Sequence, residues 1–192
     1  MSRTPILLLT AAFMAIACAV PVGAAAAVKS PQEIVQTMVN QLSKDISGHE
    51  AELRRDPERM TQIIDSVVLP NFDVGFASLL VLGPQASKAT PAQRVAFERA
   101  FRNALTRSFA KGLIDFAQVN VKVLPSHASP DQRRVLVRTQ VLEDKGQMVA
   151  VDYAFHNDVA HQWKIYDVII EGISYITLYR SQVNSQIDKD GI

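Results

Sequence analysis

The spacing of apolar residues changes once along this chain, from a helical period to a strand period, and that change predicts helices first and a sheet after them. Ile34, Val35, Met38, Val39, Leu42 and Ile46 fall on one stripe of a helix, and Met60, Ile63, Ile64, Val67 and Val68 on one stripe of a second. Arg54, Arg55 and Asp56 between them mark a solvated turn. Leu69-Pro70-Asn71-Phe72-Asp73 breaks the chain and opens a short helix carrying Phe72, Phe76, Leu79 and Leu80 as far as Gly83-Pro84. The helix from Pro91 has Phe97, Phe101, Leu105 and Phe109 as a ridge, small residues such as Ala104 and Gly112 beside it, and Arg94, Arg99 and Arg107 on its outer side. Ser30-Pro31-Gln32-Glu33 and Thr90-Pro91-Ala92-Gln93 each supply a hydroxyl cap, a proline whose missing N–H costs nothing in the first turn, and a reciprocal Glu or Gln; Asp56-Pro57 repeats the first two.

After Phe116 the apolar residues alternate. Val119, Val121 and Val123 make one run, Val135, Val137, Thr139 and Val141 a second, and Val149, Val151, Tyr153 and Phe155 a third. Short polar connections between them favour an antiparallel meander. The last strand differs: alternation puts Trp163, Ile165 and Ile169 on one face and Tyr166, Val168 and Ile170 on the other, before a turn at Gly172 into an amphipathic helix. A strand apolar on both faces needs cover on both, from helices, another layer or a bound apolar molecule. The fold class is therefore α+β: N-terminal helices packed on a twisted four-stranded antiparallel sheet, with a closing C-terminal helix. Helices on such a sheet enclose either a filled core or an apolar cavity, and the pattern is compatible with both.

A length of 192 residues fits one domain. Arg3, the apolar run from Ile6 to Val20 and the small residues Gly23 to Ala27 have the layout of a secretory signal, so residues 1–25 are expected to be removed and 26–192 to form a single exported domain. Ala15-Ile16-Ala17-Cys18 loosely resembles a lipoprotein cleavage site but lacks the usual leucine at Ala15. Cys18 is the only cysteine, so a processed chain has neither disulfide nor thiol chemistry. Loss of Arg3 takes the formal charge from +1 to zero, which leaves no electrostatic footprint for nucleic acid.

Reactive groups are sparse. His49, His127, His156 and His161 fall in predicted turns, and only His156 and His161 with Asp158 approach a metal-ligand spacing; no metal or other cofactor is expected. Nucleophile elbows, zinc-protease helices and nucleotide loops are all missing. Asp167 and Glu171 interrupt the apolar strand and could form an acid/base pair, which keeps a small α+β enzyme using Asp167 and a loop histidine as a rival reading. In the structural reading Asp167 meets a base or a backbone donor, Glu171 flanks the N-terminus of the closing helix, and Arg180 reaches either acid.

WKIYDVIIEGISYITLYRSQ (Trp163 to Gln182) resembles the closing signature of the MlaC family, also called the toluene-tolerance auxiliary family. VVLPNFDVGFASLLVLG (Val67 to Gly83) and KATPAQRVAFERAFRNALTRSFA (Lys88 to Ala110) resemble its central helical block. The resemblance implies an NTF2-like outline and a periplasmic carrier that takes the two acyl chains of a phospholipid between sheet and helices. Such a carrier would shuttle lipid between an outer-membrane lipoprotein complex and an inner-membrane ABC transporter complex with an MCE protein, maintaining outer-membrane lipid asymmetry. A hopanoid or other apolar cargo is the variant, and no catalytic residue is implied. Two chains of roughly 16 carbons hold about 30 methylenes, whose exposure at ~0.8 kcal/mol each would cost more than about 20 kcal/mol, so a dry pocket suits such a task.

The expected pocket wall draws Phe76, Leu79 and Leu80 from the short helix and Phe97, Phe101, Leu105 and Phe109 from the long one. Val121, Val137, Val149, Val151 and Tyr153 come from the first three strands, Ile165, Val168 and Ile170 from the last, and Ile173 and Ile176 from the closing segment. Lys164, Tyr179 and Arg180 are candidates for head-group contact, with ion pairing as the alternative.

Overall fold

A computed structural model describes residues 29–116, 120–126, 132–142 and 146–191. The leader with Cys18, together with Val119 and His127, lies outside the described residues. Helix α1 (Pro31–Ile46) begins at the expected capping box: Ser30 accepts from the Glu33 N–H while the Glu33 carboxylate accepts from the Ser30 N–H at 2.8 Å. Its predicted stripe is buried without exception. A single turn, α2 (Glu50–Leu53), precedes α3 (Pro57–Ile63), which Asp56 caps through the Arg59 N–H. The second helix is shorter than its apolar stripe, because the chain widens into a π-helical turn at Ile64–Val68 and ends in a 3-10 turn at Leu69–Asn71. Helix α4 (Val74–Leu82) is capped by Asp73, and α5 (Pro91–Phe116) by the reciprocal bonds of Thr90 and Gln93.

Strands β1 (Asn120–Val123), β2 (Arg134–Leu142), β3 (Met148–Asn157), β4 (Trp163–Ile170) and β5 (Ile173–Ser174) form one antiparallel sheet in sequence order. Five strands rather than four result because the chain folds back on β4 before α6 (Tyr175–Asp190) starts. Glu171 (φ 49°) and Gly172 (φ 80°) make that two-residue turn, and two consecutive positive φ values are the signature of a tight hairpin whose twist matches its strands.

Strand β4 departs from simple alternation. Phe155 pairs with Ile165 and Ala154 with Asp167, so Tyr166 is an extra, unpaired residue at a β-bulge. The bulge inverts the alternation beyond it. Trp163, Ile165, Val168 and Ile170 therefore share one face with Val151, Tyr153 and Phe155, while Asp167 and Ile169 lie on the other. Unbroken alternation had separated Val168 and Ile170 from Ile165; the bulge is the reason they are together.

Two apolar clusters form instead of one. The larger joins α1, Leu53, Met60 and Ile64 to the inward valines of the sheet, Phe155 and Ile165. The smaller lies among α4, α5 and α6, centred on Ala77, Val81, Phe101 and Ile176. Arg180 ties α6 to α4 by donating from Nε to the Leu80 carbonyl at 2.7 Å. The free edge of β4 is also taken: Phe72 forms a parallel bridge with Ile165, and the Asp73 N–H donates to the Ile165 carbonyl at 2.8 Å.

Candidate ligand cavity

Between the two clusters lies a cavity of about 460 Å³, within the roughly 300–1,000 Å³ range of small-molecule sites. The sheet supplies its floor through Val151, Tyr153, Val168 and Ile170, all placed there by the register and the bulge. Phe101, Leu105 and Phe109 enter from α5, Val74 and Ala77 from α4, and Tyr175, Ile176 and Tyr179 from α6. The remaining side is Met38 and Leu42 of α1 with Ile64 and Val68 of the π-helical turn.

Few polar groups reach this space, and Asp167 among them is engaged. Its carboxylate accepts from Ser174 Oγ at 2.6 Å and from the Ile176 N–H at 3.1 Å, at the first turn of α6. Glu171 does not flank that helix as the sequence suggested; it accepts from the Ala150 N–H and pins the hairpin turn to β3. His156 pairs with Asp73 at 3.0 Å and stacks on Phe76 with ring centroids 4.2 Å apart, whereas His49 and His161 are exposed. No histidine therefore meets Asp167 among the described residues, and no group of three His, Cys, Asp or Glu side chains that could hold a metal occurs among them. Burial pushes the Tyr153 hydroxyl well above the usual tyrosine value, which keeps it protonated.

Of the expected wall, the structure brings together Phe101, Leu105, Phe109, Val151 and Tyr153 with Val168, Ile170 and Ile176. Leu80 and Phe97 pack in the smaller cluster, and Val121, Val137, Val149 and Ile165 in the larger one beneath the sheet face. Phe76 lines a separate surface depression with Asp73, His156 and Lys164. Leu79 is 42 % and Ile173 59 % exposed, so neither reaches the cavity. Helix α4 is apolar almost all round, and the face turned to the cavity is that of Val74 and Ala77 rather than that of Phe76, Leu79 and Leu80. Ile173 is drawn away by the β5 hairpin.

The head-group candidates divide. Lys164 donates to the Pro70 carbonyl at 2.7 Å and Arg180 to Leu80, so both cations serve internal contacts, while Tyr179 lines the cavity. Met38, Leu42, Ile64 and Val68 were legible as apolar stripes but not as cavity wall; Thr106 and Tyr175 carried no signal beyond their place on helices.

Among the described residues no helix is long and apolar enough to cross a membrane. The family profile described as MlaC protein matches residues 36–192. The toluene tolerance protein ttg2D of Pseudomonas putida is 24% identical over 166 residues, covering 86% of this chain and 76% of that protein. The intermembrane phospholipid transport system binding protein MlaC of Haemophilus influenzae is 21% identical over 149 residues, covering 77% and 70%. The solved structure of a phospholipid-binding protein from Ralstonia solanacearum, in complex with a phospholipid, superposes with a TM-score of 0.76 at 29% identity, covering 85% of this chain and 90% of that one.

Proposed function

Because this chain belongs to the MlaC family, we propose that it is a phospholipid carrier that holds acyl chains in the cavity between its two apolar clusters. The observation that carries this reading is the cavity itself: about 460 Å³, walled mostly by aliphatic and aromatic side chains from the sheet and five helical segments. Each methylene withdrawn from water there contributes ~0.8 kcal/mol, so ten of them stabilise a complex by about 8 kcal/mol before ordering costs. Its likeness to a structure that holds a phospholipid supports the same cargo. The carrier works in the periplasm after removal of its leader, taking lipid between an outer-membrane lipoprotein complex and an inner-membrane ABC transporter complex with an MCE protein. Its work is binding and release and requires no catalytic group, the oxygens of Asp167 being committed to α6.

Organic extraction of the purified, processed protein followed by mass spectrometry tests the reading. Near-stoichiometric phospholipid is the expected result, and a lipid-free protein that takes up no phospholipid from vesicles would overturn it. Leu105→Glu places a charge in the wall and is expected to abolish lipid retention in a protein that still folds, as judged by circular dichroism; unchanged loading would move the acyl site elsewhere.

A further inference from the structure

Two buried residues of the cavity wall carry a hydroxyl with no hydrogen-bond partner among the described residues. Tyr153 is 6% and Thr106 7% exposed, both line the cavity, and neither makes a hydrogen bond with any described residue. Their neighbours in the same class are all satisfied. Of the buried polar residues, Thr139 donates to the Val151 carbonyl at 2.6 Å, Ser78 to the Gly75 carbonyl at 2.8 Å, and Asp167 accepts twice. Neither hydroxyl oxygen is sealed off from the surface, so both are open to a partner that enters the cavity. The cavity wall is mostly aliphatic and aromatic, with Leu105, Val151, Val168 and Ile170 among its residues, so few polar contacts compete for these hydroxyls.

The chemistry of that partner is constrained. Both groups offer a neutral O–H donor, and no lysine or arginine lines the cavity, while Asp167 does. A phosphate would enter without a counter-charge and beside a carboxylate, which desolvation opposes. An uncharged acceptor at the head of a hydrocarbon chain meets neither objection. Tyr153 rises from the middle of the sheet, between Val137 and Val168, and Thr106 comes from α5 beside Leu105, so donors approach from floor and helix. We propose that Tyr153 and Thr106 donate hydrogen bonds to the acyl ester carbonyls of the bound lipid, so that the cavity selects ester-linked chains and not hydrocarbon alone. The inference rests on the carrier reading above and adds what the site recognises.

The test compares two lipids that differ in this acceptor. The delipidated full-length processed chain is titrated with vesicles containing diacyl phosphatidylglycerol or its dialkyl ether analogue of equal chain length. One net hydrogen bond corresponds to roughly a three- to tenfold difference in affinity, so the native protein is expected to prefer the ester lipid by at least that factor. Tyr153→Phe and Thr106→Val are each expected to narrow the preference, and the double substitution to bring it close to unity. A native protein that binds both lipids equally overturns the proposal whether or not the variants fold, as does a preference that survives the double substitution. If the native protein binds neither lipid, it is the phospholipid reading that fails.

Discussion

Asp167 illustrates how a carboxylate can border an apolar cavity without charging it. Its two oxygens are taken by Ser174 and by the Ile176 N–H, at a helix start where the macrodipole favours negative charge. Asp167→Ala is expected to lower the unfolding free energy by about 1–2 kcal/mol in urea titrations, with Asp167→Asn costing less because one acceptor remains. Glu33 acts at the other end of the chain. The Ser30 N–H and hydroxyl hold its carboxyl below the ordinary value of 4.5. A depressed carboxylate contributes stability that is present above its unfolded value and disappears as pH falls through the folded one. The stability difference between the native protein and Glu33→Ala should therefore shrink as urea titrations are taken below pH 4.5. The cap at Glu33 could be read from the sequence because all its partners lie within four residues. That Asp167 meets a backbone donor was legible too; which donor was not, since it depends on the hairpin that returns Ser174 to β4.

Elements were legible where local chemistry alone defines them and illegible where one apolar side had to be chosen over another. The starts of α1, α3 and α5 stand where their caps put them, and the switch to strands follows the switch in period. Helix α4 failed this test: of Val74–Leu82 only Gly75 and Ser78 are not large or small apolar residues, so nothing in the segment itself names the inward face. Strand β4 failed for a related reason, because with apolar residues on both sides a bulge leaves no trace in the pattern. The register now makes a distinction. Removing Tyr166 regularises the ladder and leaves Val168 and Ile170 inward, whereas removing Val168 turns Ile170 outward. A chain lacking Tyr166 should thus retain more lipid from vesicles than one lacking Val168, and equal losses would argue against the bulge. Arg180 fastens α6 to the end of α4, and Arg180→Met, which leaves the Leu80 carbonyl unpaired, is expected to cost about 1–2 kcal/mol in unfolding free energy.

The molecule as a whole is two apolar clusters with a cavity between them, and its stability should depend on what fills that space. A ligand present at about 100 times its dissociation constant adds ~2.7 kcal/mol, which for a chain of this size means roughly 5–10 °C in Tm. Delipidation is expected to lower Tm by that amount and phospholipid vesicles to restore it; a Tm indifferent to lipid would place the cargo outside the cavity. Hollow and filled cores were indistinguishable in the sequence because Met38, Leu42 and Ile64 serve either with the same apolar surface. The covering of β4 has a further consequence for self-association. With Phe72 and Asp73 on one stretch of that edge and β5 on the other, the backbone donors and acceptors an incoming strand would need there are already occupied. Beyond the two residues of β5, strand addition between copies is left to the opposite edge, β1, which among the described residues is only Asn120–Val123, carries Lys122 on its exposed side and runs into Pro125, so crowded molecules meet a short, charged and interrupted template.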